Sequence, residues 1–331
     1  MVRSAGRSEE VTRAVQRQVR IFFATDIHGS ERCFRKFLNA GKLYGVDVLI
    51  LGGDITGKAL VPVTRRDDGT FLVWLEGKQE TVHRDGLDDA LGSIRNMGLY
   101  PFIGSEEEIR ALGADKDVLR ETFEGLVRRT LVDWMALAEE RAKPNGIEVF
   151  IQPGNDDEPA VLDGLESGFV VNPEGAVVYL KGSIPMISYG YSNRTPWNSP
   201  RELDEADLAA AYEGMINRLP EAGSCVFNLH VPPKDATIDR APVLDANLKP
   251  VVRAGEIQMA GAGSSAVRDA ILRHQPLLSL HGHIHESGGM ARIGRTIAIN
   301  PGSEYSDGIL RGALVTVDAK KSKVHYQLTA G

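Results

Sequence analysis

The sequence predicts an α/β fold: two mixed β-sheets packed as a sandwich and flanked by helices. Three observations predict it. Short apolar runs rich in β-branched residues recur along the chain, helical periodicities lie between them, and the last runs alternate as antiparallel strands do. With 331 residues, 42% of them hydrophobic, the chain can bury a sizeable core without staples.

Val19–Ala24 reads as a buried strand. Phe34, Phe37 and Leu38 then recur at helical spacing behind a Ser30 cap, which makes a βα unit. Val46–Leu51 is a second strand, apolar throughout, as in a sheet covered on both faces. From Lys58 to about Asp115 the pattern changes. Strands near 61–63, 71–75 and 79–82 around an Asp67-Asp68-Gly69 turn suggest an insertion, either a lid or an oligomer contact. A helix follows, with Leu119, Phe123, Leu126, Thr130, Trp134 and Leu137 on its apolar stripe, and it stops before Pro144. Residues 147–151 form the next strand, and 177–180 and 184–189 pair. Residues 191–200 are a loop, and Asp204 caps a helix to about Leu219. Strands at 225–229 and 277–280 bracket a helix at 265–273, and runs at 296–299, 313–317 and 324–328 close the sheet as antiparallel strands. The chain thus divides into a basic, mobile arm over 1–18 and one domain over 19–331 that carries the insertion.

Two cysteines, Cys33 and Cys225, allow no disulfide framework and no Cys-x-x-Cys metal knuckle, which fits a reducing compartment such as the cytoplasm. No signal-like segment and no apolar run of membrane-spanning length is present, so a soluble protein is expected. A formal net charge of -7 argues against general nucleic-acid binding. Arg3, Arg7, Arg13, Arg17 and Arg20 are interrupted by Glu9 and Glu10, and suit a solvated tail better than a nucleic-acid hook.

Five apolar strands run into the same chemistry. They lead to Asp26-x-His28, Gly52-Gly53-Asp54, Gly154-Asn155-Asp156, His230 and His281-Gly282-His283-x-His285. Ligands of α/β sheets sit beyond the carboxyl ends of strands, so these tips should converge on one crevice. Imidazole and carboxylate donors there point to a metal centre. Residues two apart in an extended segment project to one side, so Asp26 with His28, and His283 with His285, can each chelate. The glycines at 52, 53, 154 and 282 let the backbone turn where a Cβ would crowd the ions. Taken singly, Asp26 and Asp54 read as well as caps or turn residues, Asn155 as a loop amide and His230 as a hydrogen-bonded core imidazole. Taken together in this order, they read as a metal site.

This set of motifs, spread from Asp26 to His285, resembles the calcineurin-like metallophosphoesterase superfamily. The 192–197 loop and the Asn228–Pro233 run resemble a prokaryotic, poorly characterised branch of it. The resemblance implies a four-layer sandwich and two divalent cations, Mn, Fe or Zn. One would be held by Asp26, His28, Asp54 and His285; the other would share Asp54 and add Asn155, His230 and His283. It further implies hydrolysis of a phosphodiester or a small organic phosphomonoester, such as a nucleotide, by a hydroxide shared between the ions. The chain departs from the family pattern at Asp156, where a histidine usually assists the leaving oxygen. Two cations should hold a carboxylate ionised there, which makes Asp156 a poor acid. His281 could take over, or the leaving group could depart unaided; His281 reads as well as a strand-end residue with a backbone hydrogen bond. The family's phosphoprotein phosphatases carry Asp-Arg-Gly, which is absent after Asp54, so a phosphoprotein substrate is disfavoured. Lys58, Tyr191, Arg194 and Trp197 are candidate substrate contacts, by charge or by stacking, with surface or packing roles as the alternative. A metal-binding scaffold without activity and a nuclease are the competing functions, and a homo-oligomer is compatible with either.

Overall fold

A computed structural model describes residues 18–75 and 77–331. Of the expected N-terminal arm over 1–18, residues 1–17 lie outside the described residues. Arg20, grouped with that arm, is instead an exposed residue of the first strand.

Two mixed sheets face one another. The first has the order 323–330, 311–318, 19–24, 48–51, 148–151; the last three strands run parallel and the first two are antiparallel. The second has the order 289–293, 296–300, 278–280, 226–229, 184–189, 177–180, with four parallel strands between two antiparallel edges. Side chains alternate across each strand. Ile21, Phe23, Val48 and Ile50 point into the core between the sheets, where they meet Met186, Val226, Leu278 and Val315. Phe22, Leu49 and Leu51 point the other way, toward helices Glu31–Leu43 and Lys116–Ala142. Helices Glu205–Ile216 and Ser265–His274 cover the outer face of the second sheet. The layers therefore run helix, sheet, sheet, helix. Strands covered on both faces are mostly apolar, which is why they read as near-continuous runs.

Local signals set the helix ends. Ser30 Oγ accepts from the Cys33 amide at 3.4 Å, and the Asp115 carboxylate accepts from the Asp117 and Val118 amides at 2.9 and 3.2 Å. The buried stripe of the long helix is Val127, Leu131, Trp134, Met135, Ala138 and Ala142. The stripe expected from sequence is thus corrected at one position: Leu119 lies in the exposed first turns of this helix.

The insertion forms a separate four-stranded sheet in the order 78–82, 71–75, 60–65, 100–105. Its small core holds Val63, Phe71, Val73, Leu87 and Ile94. Two helices, Leu87–Asn96 and Glu106–Ala114, and the strand Tyr100–Ser105 complete it. The turn after the first helix docks on the main body: Ser30 Oγ donates to the Asn96 carbonyl at 2.7 Å, and the Gly57 amide donates to Tyr100 Oη at 2.9 Å. At Gly98, φ is +80° and an added Cβ would lie 2.0 Å from the His28 carbonyl oxygen, so only glycine allows this approach.

One strand of the tail corrects the sequence reading. Thr296–Asn300 does not close the sheet antiparallel to 311–318; it lies parallel to 278–280 in the second sheet and is wholly buried. Its antiparallel partner is Gly289–Ile293, a strand whose mixed polar sequence gave no signal.

Phe34 and Trp134 stack with ring centroids 4.1 Å apart and planes at 5°, and join the two helices of one outer layer. Replacing Trp134 with Ala should destabilise the chain by about 3 to 5 kcal/mol, the usual cost of emptying a buried aromatic site. Denaturant titration against the parent chain measures it, and a loss under about 1 kcal/mol would show that the pair is not core packing.

Candidate metal centre

The tips of the parallel strands bring two groups of donors together. Asp26, His28, Asp54 and His285 form one, and Asp54, His230 and His283 the other; within each, the donor atoms lie within 4.8 Å of one another. Asp54 belongs to both. Asn155 joins the second group, with its Oδ1 3.1 Å from His230 Nε2 and 2.7 Å from His283 Nδ1. In the first group His28 Nε2 lies 3.2 Å from His285 Nε2 and 3.7 Å from Asp54 Oδ2, and His285 Nε2 lies 3.3 Å from Asp26 Oδ1. His230 Nε2 lies 3.4 Å from Asp54 Oδ2 and 3.9 Å from Asp26 Oδ1. All seven donors predicted from sequence therefore stand in one place.

The backbone that carries them is unusual. Asp26, His28, Asp54 and His283 all have positive φ, at 53°, 40°, 49° and 67°. Non-glycine residues adopt this region at a cost, and such strain gathers at functional sites. Here it is held by pairing that continues beyond the strands: the Asp26 amide donates to the Gly53 carbonyl, and the His28 amide to the Asp54 carbonyl, each at 2.9 Å. At Gly154 an added Cβ would lie 2.1 Å from Asp54 Oδ1, so the loop carrying Asn155 can reach the shared carboxylate only through glycine.

Electrostatics test the fit to cations. Asp26, His28, Asp54 and His230 are almost fully buried. Burial alone would push the Asp54 carboxyl up, but the His230 and His28 imidazoles outweigh it and hold Asp54 well below the usual carboxylate range. Burial pushes His28 and His283 down to about 4, so both are neutral imidazoles with free lone pairs. His28 Nδ1 is buried with no hydrogen-bond partner. His230 Nδ1 faces the Gly52 carbonyl at 3.0 Å, which fixes the tautomer that leaves Nε2 free to ligate. Converging carboxylate oxygens and imidazoles are what divalent cations take. Each of the two groups could hold a metal ion.

The chain is 31% identical over 157 residues, 47% of its length, to an uncharacterised protein of Methanocaldococcus jannaschii; the match spans 64% of that relative, less than two thirds. No family model matches. One solved structure superimposes over 94% of this chain and 98% of its own, with a TM-score of 0.57 at 16% identity. That likeness shows a shared fold. A Thermus thermophilus protein (TM-score 0.47, 13% identity, 93% of this chain and 98% of that one) and a phosphoesterase from E. coli (TM-score 0.33, 10%, 94% and 98%) are looser likenesses.

The other residues predicted for a metallophosphoesterase site divide. Lys58 Nζ pairs with Asp156 Oδ2, and the Asp156 amide donates to Asp54 Oδ1 at 2.9 Å, so both sit beside the donors. His281 does not suit the role of acid. It is wholly buried, its Nδ1 faces the Leu229 and Val231 carbonyls at 2.8 and 3.0 Å, and burial pushes it down to about 4. It is the strand-end residue with backbone hydrogen bonds. The Tyr191 ring stacks on Tyr189 at 5.1 Å and lies under the Arg201 guanidinium at 4.2 Å, contacts of the packing role that was its alternative. Arg194 is held by Asp204 on the surface, Nε to Oδ1 2.9 Å. Trp197 is 64% exposed at the tip of its loop.

Three residues carried no local signal. Asp157 is wholly buried; its carboxylate takes the Gly154 amide at 2.7 Å, the Ile55 and Thr56 amides at 3.1 and 2.8 Å and Thr56 Oγ1 at 2.6 Å, and so locks the Asp54 loop to the Asn155 loop. Tyr305 packs its ring on His28, centroids 4.7 Å apart. Arg201 straps the site from outside: Nε donates to the Gly154 carbonyl at 2.8 Å, its amide to the Asn155 carbonyl at 3.1 Å, and its guanidinium pairs with Glu174.

Two outcomes are expected. Arg201→Met should keep the fold and weaken the second metal by about 10- to 100-fold, as loss of a ligand's supporting shell does; metal titration of the variant reads it, and unchanged affinity for both ions contradicts it. The second concerns pH. Burial opposes the His230 imidazolium, but Asp54 and Asp26 outweigh it and push its pKa up to about 9. Below that pH the metal-free chain carries a proton that must leave before Nε2 can ligate. Metal uptake at neutral pH should therefore release protons, and apparent affinity should climb with pH and level off above about 9. Calorimetry in buffers of different ionisation enthalpy measures this; a flat profile is the opposing result.

Proposed function

We propose that the chain hydrolyses a phosphate ester, a phosphodiester or small organic phosphomonoester, at two divalent cations that share Asp54. The observation that carries the reading is the pair of donor groups meeting at one buried carboxylate. A carboxylate has two oxygens and can serve two ions at once, whereas Asn155 adds a donor without adding charge. Bound there, the ions would supply a hydroxide near neutral pH and offset the charge of the phosphoryl oxygens.

The chain's own residues do the rest. Asp54 is fixed by the Asp156 amide, Asp26 by Thr25 Oγ1 at 2.7 Å and by the His283 amide at 3.0 and 3.1 Å. Four of the donors, Asp26, His28, Asp54 and His230, are closed off from water, while the His285 side chain is 33% exposed. An ester therefore approaches over His283 and His285, the side where Lys58 and Asp156 also lie. Among the described residues no helix is long and apolar enough to cross a membrane.

Full-length chain loaded with Mn, Fe or Zn should hydrolyse a nitrophenyl phosphate diester or monoester. Asp54→Asn should reduce this to background and lower the content of both metals by elemental analysis. A variant as active as the parent would falsify the reading. Silence of the parent across a broad ester panel under every metal, with both ions bound, would favour a metal-binding scaffold instead.

A further inference from the structure

We propose that Lys58 is the group that grips a phosphoryl oxygen at the mouth of the site, and that Asp156 holds Lys58 in place until an anionic ester draws it away. The inference deepens the phosphoesterase reading and rests on it.

The two residues are held very unequally. Asp156 is fixed on several sides: Oδ1 accepts from Ser199 Oγ at 2.6 Å and from Asn155 Nδ2 at 3.1 Å, and its amide donates to Asp54. Ser199 itself is tied down, its amide donating to Glu202 at 2.8 Å, as does that of Thr195 at 2.9 Å. Among the described residues Lys58 has one partner, Asp156, and its side chain is 59% exposed against 19% for Asp156. An exposed lysine contact opens at little cost. The ammonium is thus the movable half of the pair, and the carboxylate is the fixed half.

Charge then assigns the task. A carboxylate one residue from Asn155 repels any anionic ester, so an unpaired Asp156 would work against the site. Lys58 cancels that charge and adds three N–H donors next to the shared Asp54. Its base is anchored close by: the Asp157 latch holds Ile55 and Thr56, and Tyr100 holds Gly57. Asp156, which pairs with the ammonium, also donates its amide to Asp54 Oδ1 at 2.9 Å, so the pair stands beside the shared carboxylate. Once Lys58 has moved to the phosphoryl group, Asp156 is left as a fixed negative charge against the substrate. That charge penalises a dianion more than a monoanion, so the pair favours phosphodiesters over phosphomonoesters.

The test uses full-length, Mn-loaded chain with Lys58→Ala, Lys58→Arg and Asp156→Asn. It reads the kcat/KM for nitrophenyl diester and monoester, the affinity for inorganic phosphate by calorimetry, and metal content. Lys58→Ala should keep both metals and lose about 10- to 100-fold in diester kcat/KM and in phosphate affinity, the worth of one hydrogen bond to a charged group. Lys58→Arg should recover most of both. Asp156→Asn should raise the monoester-to-diester ratio. Equal phosphate affinity in Lys58→Ala and parent, at equal metal content, overturns the grip assigned to Lys58. A ratio unmoved by Asp156→Asn overturns the diester preference. A parent inactive on both esters sinks the phosphoesterase reading by itself, whereas phosphate affinity still decides the role of Lys58.

Discussion

The constraint on which the site depends is a buried negative charge. Asp54 and Asp26 lie in a region closed to water, and a carboxylate there is costly unless cations face it. Imidazoles surround them, and against the upward push of burial they hold both carboxyls below the usual range. The arrangement makes sense as an electrostatic environment suited to positive ions. Much of the surrounding architecture can be understood as what keeps those carboxylates from moving apart or taking up protons.

Two kinds of restraint do that. The strands set direction: parallel neighbours end at one level, so Asp26, Asp54 and Asn155 emerge side by side from one sheet while His230 and the His283–His285 tip emerge from the other. The loops set position. Positive φ at four donors is tolerated because backbone pairing runs on past the strand ends and because Asp157 collects four donors from two loops. Removing one ligand side chain would leave this frame standing; removing Asp157 would loosen the frame while leaving every ligand in the sequence.

This division explains what the sequence made legible. A strand covered on both faces announces itself as an apolar run, and a donor within a few residues of its end announces the site, so the donors could be read in one dimension. Asp157 and Arg201 could not, since their partners are brought to them only by folding: Asp157 is one more acidic residue after Asp156, and Arg201 one more surface-type arginine. His281 misled for the complementary reason. It shares a tip with two donors, yet its ring belongs to the backbone of a neighbouring strand. The strand at 296–300 was visible as apolar and alternating, but whether it pairs parallel or antiparallel depends on which sheet it joins, and that information is not local.

The departure at Asp156 shows how such long-range terms alter chemistry. Judged alone, a carboxylate at the mouth of an anion-binding site is unfavourable, and the sequence suggests a weakened enzyme or none. In the fold, a lysine from the neighbouring loop cancels it, a serine from the 191–203 strap orients it, and its own amide supports the shared Asp54. The strap touches three consecutive residues of the tip, through the Gly154 and Asn155 carbonyls and the Asp156 carboxylate, and carries the exposed Trp197 between its contacts. Gly98 brings the inserted unit against the His28 loop. Two peripheral segments are therefore mechanically joined to the donors. A change in either one, made far from any ligand, has a short covalent and hydrogen-bonded path to the geometry on which the buried charges depend.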